Sequence, residues 1–207
     1  MNKISQKVFN VITYNLNQIL FWVRNPHRLK MKCNGYKNVR IPFWMGIGKD
    51  TEIRIFNKQK NHISVSFGKG CWVGKRVSLT TTGNQKISLG DNSSIQDGTH
   101  LIGDIEIGSN VLFAPNVFAS SGTHIFKEEP MMPIKHQDAK YSHIKDKYNK
   151  KIKIGDDVWI GTGTYISQGV TIETGVIIGA NSVITKDIPS YSIVVGNNKI
   201  IGNRKDM

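Results

Sequence analysis

A chain of 207 residues with 39% hydrophobic residues and a formal net charge of +13 suits one domain with a small appendage. No apolar stretch near its start approaches the roughly 20 residues that span a bilayer, and the polar residues before position 19 do not form a signal peptide. Two distant cysteines, Cys33 and Cys71, do not make a disulfide framework. We therefore expect a cytoplasmic protein, with peripheral contact at the inner membrane face as the open alternative.

The positive charge is concentrated in two segments. Residues 24–40 contain six basic residues and no acid, and residues 120–153 contain eight lysines and four acids. Such segments can bind an anionic lipid surface, a phosphorylated cofactor or an acidic polysaccharide. Nucleic acid is the competing partner, but the chain has no helix-turn-helix, zinc-ligand or aromatic RNA-binding signature. We therefore expect no nucleic-acid partner.

The first predicted element is an amphipathic helix within residues 1–40. Its apolar residues have helical spacing and stop before Asn25-Pro26: Ile4, Val8, Ile12, Leu16, Ile19 and Val23. Two roles remain open for this helix. It can cover the end of the following domain, or it can dock on a lipid surface or a partner, which the basic linker after it favours.

From residue 41 onward, large apolar residues recur every six residues. The first register contains Ile41, Ile47, Ile53, Val65, Cys71, Val77, Leu89, Ile95, Leu101, Ile107, Phe113 and Ala119. The second contains Ile154, Ile160, Ile166, Ile172, Ile178 and Ile184. Only Gln59 and Gly83 interrupt the first register.

A period of six predicts a parallel β-helix. An α-helix with 3.6 residues per turn would scatter these residues around its axis. An ordinary alternating strand does not explain the pattern either, because each strand would be too short before the next turn. Chance spacing in a β-sandwich would not keep one phase from residue 41 to residue 119. In a β-helix, each hexad supplies a short strand and a bend, three hexads close one coil, and the recurring residues stack inward.

The repeats resemble those of the hexapeptide-repeat acyltransferases, most clearly in IGSNVLFAPNVFASSGTH and IKIGDDVWIGTGTYISQGVTIETGVIIGANSVITKDIPSYSIVVGN. These segments are similar to galactoside-, maltose- and nodulation-type O-acetyltransferases and to antibiotic-modifying acetyltransferases. The resemblance implies an all-β, left-handed parallel β-helix over residues 41–198 and a basic tail at 199–207. It also implies acetyl-CoA as co-substrate and a homotrimer. Residues 120–153 are too long for an ordinary connection and are predicted to form an excursion loop.

His124 is the predicted catalytic residue. The resemblance matches APNVFASSGTH to the family segment whose last histidine is the general base. A neutral imidazole suits this task because acetyl transfer from a thioester requires removal of the alcohol proton. The alternative is a polar loop histidine without a chemical role. No nucleophile-elbow signature is present, so we expect direct transfer.

The resemblance also implies binding residues. The coenzyme positions are Trp159, Gly161, Thr162, Ala180, Thr185 and Lys186, with Lys199 and Arg204 from the tail. The acceptor positions are Ser94 and Asp97, and the excursion adds His136 and His143. The tail has Asn198 where the family has proline. The dispersed histidines and distant cysteines have no metal-ligand spacing, so we expect no metal.

The resemblance implies an acetyl-CoA-dependent O-acetyltransferase that acts on a carbohydrate hydroxyl. The expected acceptor is a surface polysaccharide or its precursor, either anionic or lipid-linked. One alternative is an N-acetyltransferase of an amino sugar or antibiotic, although residues 1–40 leave no room for the nucleotide-binding domain that many amino-sugar enzymes carry. A non-catalytic β-helix scaffold is a second alternative. A γ-carbonic-anhydrase-like metalloenzyme would need three metal-binding histidines that the sequence does not show.

Overall fold

The computed structural model describes residues 31–207. The predicted N-terminal helix lies outside the described residues. Within them the chain winds into a prism whose three sides are parallel sheets, which we call faces A, B and C. None of the described helices is long and apolar enough to cross a membrane.

Each face is built from one strand of every coil. Face A contains β1 (Lys32–Cys33), β4 (Glu52–Phe56), β7 (Ser78–Thr82), β10 (His100–Ile102), β13 (Phe118–Ser120), β16 (Tyr165–Ile166) and β19 (Val183–Ile184). Face B contains β2 (Val39–Arg40), β5 (Val65–Phe67), β8 (Ile87–Leu89), β11 (Ile105–Ile107), β14 (Ile152–Ile154) and β17 (Thr171–Ile172). Face C contains β3 (Gly46–Ile47), β6 (Trp72–Val73), β9 (Ser94–Ile95), β12 (Leu112–Phe113), β15 (Trp159–Ile160), β18 (Ile177–Ile178), β20 (Ser192–Val195) and β21 (Lys199–Asn203).

The short helices lie outside these faces. The α-helix α1 spans Ile134–Lys140, and 3-10 helices span Tyr36–Asn38, Ser142–Tyr148 and Arg204–Asp206. The last strand, β21, returns antiparallel to β20, whereas the other pairs are parallel. The predicted all-β, left-handed β-helix is confirmed.

The residues of the six-residue registers form the core. Ile95, Leu101, Phe113 and Ile160 are completely buried, and neighbouring coils stack them at matched positions, as in the pairing of Ile95 with Phe113. A second inward position, four residues after many of the register residues, is also filled; Val111 is one example. The predicted single phase is wrong at Val65, Cys71 and Val77, because the strand residues that stack with Leu89, Ile95 and Leu101 are Phe67, Val73 and Leu79. Two inward side chains per hexad fill the narrow interior, which explains how a modestly hydrophobic chain builds a continuous core.

Successive coils approach each other too closely for a side chain at some bends. A Cβ atom on Gly161 would lie 2.5 Å from the backbone nitrogen of Ala180 on the next coil. Glycine after a register residue is therefore required by coil stacking. This scaffold function applies to Gly161 whatever ligand the neighbouring surface binds.

The connections that depart from the hexad length share one edge of the prism, where face A meets face B. We call this edge the A/B corner. They include residues 57–64 between β4 and β5, residues 83–86 between β7 and β8, and the excursion between β13 and β14. The two interruptions of the register, at Gln59 and Gly83, fall in the first two of these connections.

Candidate active site

His124 lies at the base of the excursion and pairs with a carboxylate from its helix. The His124 Nδ1 atom contacts Oδ2 of Asp138, which lies on α1. The second carboxylate oxygen of Asp138 accepts a hydrogen bond of 2.8 Å from the backbone N–H of Ile125. The Ile125 N–H and the His124 ring hold the pKa of Asp138 below its ordinary value. Asp138 therefore remains ionised at neutral pH.

This pair fixes the imidazole in a useful tautomer. A carboxylate can only accept hydrogen bonds, so the His124 nitrogen that faces Asp138 carries the proton. In the neutral ring, the opposite nitrogen, Nε2, then presents a lone pair. The His124 side chain is 78% exposed and the Asp138 side chain 23% exposed, so Nε2 is open to an incoming group.

The bend before His124 depends on contacts with the end of the excursion. A Cβ atom on Gly122 would lie 2.4 Å from Oδ1 of Asn149, so only glycine fits there without displacement. The backbone N–H of Thr123 donates to the carbonyl of Tyr148 at 3.3 Å. These contacts join the two ends of the excursion next to β13, the face A strand that precedes it. This tie directs His124 away from the core.

The excursion is an ordered structure held largely by polar contacts. Gln137 is completely buried, and its amide donates to the carbonyl of Met132 at 2.8 Å and accepts from the N–H of Glu129 at 3.2 Å. The Glu129 carboxylate in turn binds Lys140 and Tyr141. These contacts position α1, and α1 carries Asp138.

A polar cleft of about 680 Å³ surrounds His124. Part of its wall is aromatic, because Phe118 and Tyr165 stack at 5.8 Å between ring centroids on neighbouring strands of face A. Hydroxyl, amide and charged side chains complete it, including Ser120, Asn149, Lys145 and Asp146. Aromatic faces together with amide and hydroxyl groups match the apolar faces and the hydroxyls of a sugar.

Comparisons with known proteins agree with this architecture. Residues 151–186 match the family model of the bacterial transferase hexapeptide, six repeats. The galactoside O-acetyltransferase of Escherichia coli K12 is 35% identical over 131 residues, which cover 62% of this chain and 58% of that protein. A hexapeptide-repeat acetyltransferase of Vibrio cholerae, solved with acetyl coenzyme A, is 25% identical and covers 66% of this chain and 69% of its own, with a TM-score of 0.53.

The chain is thus similar to hexapeptide-repeat transferases over residues 151–186. The predicted resemblance to hexapeptide-repeat acetyltransferases is therefore confirmed. The chain spans less than three fifths of the curated galactoside O-acetyltransferase it matches. The putative lipopolysaccharide biosynthesis O-acetyl transferase WbbJ of E. coli K12 is 28% identical to this chain. The matched region covers 66% of this chain and 70% of that protein.

The predicted coenzyme residues lie on the later coils of the prism. Trp159 points outward from face C and is half-exposed, and Ala180 and Lys186 are exposed at bends. The Thr162 hydroxyl is used within the fold, since it donates to the carbonyl of Pro115 at 2.7 Å. None of these residues lines the His124 cleft of the same chain.

The C-terminal turn is built around Asn198, where the resemblance leads one to expect proline. Asn198 Oδ1 accepts from the backbone N–H of Thr185 at 2.8 Å, and its amide donates to the Thr185 hydroxyl at 2.8 Å. Arg204 is engaged with the Asp157 carboxylate at 2.9 Å and with the carbonyl of Gly175 at 2.9 Å. Arg204 thus anchors the tail to the coils, whereas Lys199 is exposed.

The predicted acceptor residues are not gathered at the cleft of one chain. Ser94 lies on face C, and the Asp97 carboxylate accepts from the backbone N–H of Lys75 at 2.8 Å, a bend contact between coils. His136 and His143 are exposed on the excursion and do not line the cleft. Sequence reasoning missed Asp138, because nothing in its local sequence marks a carboxylate that meets its histidine through the fold.

No cluster of metal-binding side chains occurs among residues 31–207. The Cys71 thiol is buried, and its burial raises its pKa; the backbone N–H groups near it act in the opposite sense. Cys71 occupies a register position in the core, so it is a packing residue.

Proposed function

We propose that this protein is an acetyl-CoA-dependent O-acetyltransferase that acts on a carbohydrate hydroxyl. The observation that carries the proposal is the His124–Asp138 pair, which presents a free Nε2 in a polar, partly aromatic cleft on a hexapeptide-repeat scaffold. The named relatives support the same chemistry, because they are O-acetyltransferases of galactosides and, putatively, of lipopolysaccharide biosynthesis. A surface polysaccharide or its precursor is the proposed target.

In the proposed mechanism, His124 Nε2 takes the proton of the acceptor hydroxyl while the hydroxyl oxygen attacks the thioester carbonyl carbon. The carbon–sulfur bond then breaks, and the protonated ring can return the proton to the departing thiolate. Asp138 stabilises the positively charged ring between these two transfers. Each proton and each bond is accounted for without a covalent enzyme intermediate.

The coenzyme groove is proposed on the later coils. Lys186 and Lys199 are exposed cations suited to the coenzyme phosphates. Trp159 offers an exposed aromatic surface on an earlier coil. Arg204 is already paired with Asp157, so its proposed contribution is to hold the tail in place.

A homotrimer is proposed because the outward apolar side chains form aligned rows. On face C, Trp72, Leu112 and Trp159 occupy matched outward positions on β6, β12 and β15 and are each at least 41% exposed. On face A, Phe118 and Tyr165 also occupy matched outward positions and are each 39% exposed. In an assembly with face C of one chain against face A of the next, the later coils would meet the His124 cleft. Ser94 and Trp159 would then reach an active site at the interface.

A peripheral location at the inner membrane face is proposed from the basic linker and the apolar stripe of residues 1–24. The full chain is expected to sediment with anionic vesicles, and a chain lacking residues 1–24 is expected to lose this binding while keeping its activity on a small acceptor. An unfolded deletion product would instead indicate that the segment covers the end of the β-helix.

The function is tested by mass spectrometry of acceptor mixtures incubated with acetyl-CoA. The mixture should contain neutral glycans, acidic glycans and amino sugars, with His124→Ala as the matched control. We expect a gain of one acetyl group on a glycan that mild alkali removes, since it hydrolyses esters and leaves amides. An alkali-stable product would identify an N-acetyltransferase, and no product at all would favour a scaffold protein.

A further inference from the structure

The cleft at His124 continues along the A/B corner into a second pocket of about 490 Å³. Asn57, Thr82, Gln85 and Asp146 line both pockets, so the two share a wall and form one groove. The far part of the groove, which we call the distal pocket, is lined beyond this wall by Gln59, Gly83, Asn84 and Asp104. None of these four residues lines the cleft at His124.

The distal pocket is formed by the departures from the repeat. A regular hexad would cross the corner as a tight bend, whereas residues 57–64 and 83–86 project from it. Their geometry is fixed by one side-chain and one backbone hydrogen bond: Gln85 Oε1 accepts from the N–H of Thr82 at 3.1 Å, and the N–H of Gly83 donates to the carbonyl of Phe56 at 3.0 Å. Gly83 has a φ of 57°. The two connections therefore form a built surface that the scaffold itself does not need.

The groove is longer than a single sugar ring requires. From β4 through β7 and β10 to β13, it crosses three coil steps. At the usual strand spacing of about 4.8 Å, three steps amount to about 14 Å. A sugar whose hydroxyl meets His124 would leave the distal pocket free for a neighbouring residue of the same glycan.

The chemistry of the distal pocket favours a neutral sugar. Its side chains are mostly amides, namely those of Asn57, Gln59, Asn84 and Gln85, and an amide can both donate to and accept from a hydroxyl. Its two ionisable side chains, Asp104 and Asp146, are acidic. Asp104 has the Lys151 ammonium 3.7 Å from its Oδ2, so Asp146 is the carboxylate that would repel a uronic acid or a phosphate. Lysine lines only the near part of the groove, at Lys145.

We propose that the distal pocket is a second sugar-binding subsite and that the acceptor is a glycan of at least two linked residues, with a neutral residue in the distal pocket. This proposal rests on the proposed function for the identity of the ligand. It goes further by assigning residues outside the His124 cleft to acceptor length. Gln59 and Asn84 are the specific residues, because they line only the distal pocket.

The test measures binding separately from catalysis. Calorimetry would use the His124→Ala variant, so that turnover of the acceptor does not interfere. It would compare the affinities for a monosaccharide and for the corresponding di- and trisaccharide. Two neutral series are used, a β-1,4-galactan series and an α-1,4-glucan series. In at least one series we expect the trisaccharide to bind about tenfold more tightly than the monosaccharide. This corresponds to one or two additional hydrogen bonds of about 1 kcal/mol each.

When Gln59→Ala and Asn84→Ala are added to the His124→Ala variant, most of the affinity advantage of the trisaccharide should be lost. The affinity for the monosaccharide should be unchanged. Lys60→Ala is the matched control, because Lys60 is exposed in the same connection and lines neither pocket. If affinity in both series is independent of glycan length, or if the trisaccharides do not bind, the distal subsite is refuted. Acetylation by the wild-type chain is measured separately. Binding that depends on glycan length without any acetylated product would support the subsite and refute the transferase. An acetylated product with binding that is independent of glycan length would support the transferase and refute the subsite.

Discussion

At the scale of single residues, the chemistry of this protein depends on a histidine and a carboxylate fourteen positions apart. His124 supplies the nitrogen that would accept the proton, and Asp138 determines which ring nitrogen is free. Asp138 also binds the backbone of Ile125, so one side chain both orients the ring and holds the chain next to it.

Replacement of His124 by alanine should lower kcat by about 10²–10⁴, the usual contribution of a positioned general base. Acetyl-CoA binding should hardly change, because the proposed coenzyme residues lie on other coils. The thermal midpoint should also hold, since an exposed side chain contributes little packing. Steady-state kinetics and calorimetry check these outcomes, with His136→Ala and His143→Ala expected to affect mainly the acceptor KM. A variant that keeps more than about a tenth of wild-type turnover would contradict the base assignment.

Asp138→Asn separates orientation of the ring from attachment of the loop. The asparagine oxygen can still accept from Ile125, but its NH₂ group would face Nδ1 and favour the tautomer with the proton on Nε2. We expect kcat to fall by at least about tenfold, towards the loss of His124→Ala, with acceptor KM nearly unchanged. The control is Asp50→Asn, an exposed carboxylate at a bend that lines neither the cleft nor the distal pocket. Equal kcat values for Asp138→Asn and the wild type would show that Asp138 only attaches the loop.

At the scale of elements, the excursion supplies the residues that form the candidate active site on the β-helix. It carries α1, closes on itself between Gly122 and Asn149, and rests on the strands of face A. Its helix is short, so its placement depends on polar contacts such as those of Gln137 and Glu129 rather than on an apolar face.

The attachment of the excursion should be sensitive to acid. The pKa of Asp138 is lower in the folded chain than its ordinary value of 3.8, so ionised Asp138 stabilises the folded form. This stabilisation is complete above the ordinary pKa and disappears as the pH falls below 3.8 through the lower folded value. The protection of the Ile125 amide, measured by NMR as its exchange rate relative to the intrinsic rate at each pH, should therefore fall in that acidic range while the amides of the coils stay protected. In Asp138→Asn this acid step should be absent; its persistence there would assign it to another carboxylate.

At the scale of the whole molecule, the prism has flat faces whose apolar rows are exposed among residues 31–207. The aromatic row of face A lies at the His124 cleft, so an interface there would also complete the site. Oligomerisation and activity should therefore be coupled.

We predict a homotrimer by light scattering at micromolar concentration. Leu112→Lys, which places a charge in the middle of the face C row, should dissociate it and abolish activity while leaving the coil folded by circular dichroism. Lys69→Ala is a suitable control, because Lys69 is an exposed bend residue outside this row. An active monomer would contradict the proposed interface and confine the site to one chain.

The sequence by itself determined the β-helix and most of the inward positions of its core, although not the shift of register at Val65, Cys71 and Val77. These follow from local periodicity, because each hexad repeats the same strand and bend, and its inward residue must be apolar whatever the rest of the chain does. His124 could also be selected, since the break in the repeat and the resemblance both point to it.

Only the tertiary structure decided the partner of His124 and the shape of the groove. Asp138 is one of four acids in a lysine-rich segment, and its contact with His124 depends on how the excursion folds back, which has no periodic signal. The interruptions at Gln59 and Gly83 are visible in the sequence as missed positions. That they lie on the same corner as His124 depends on the winding of the coils, which brings residues some sixty positions apart to the two ends of one groove.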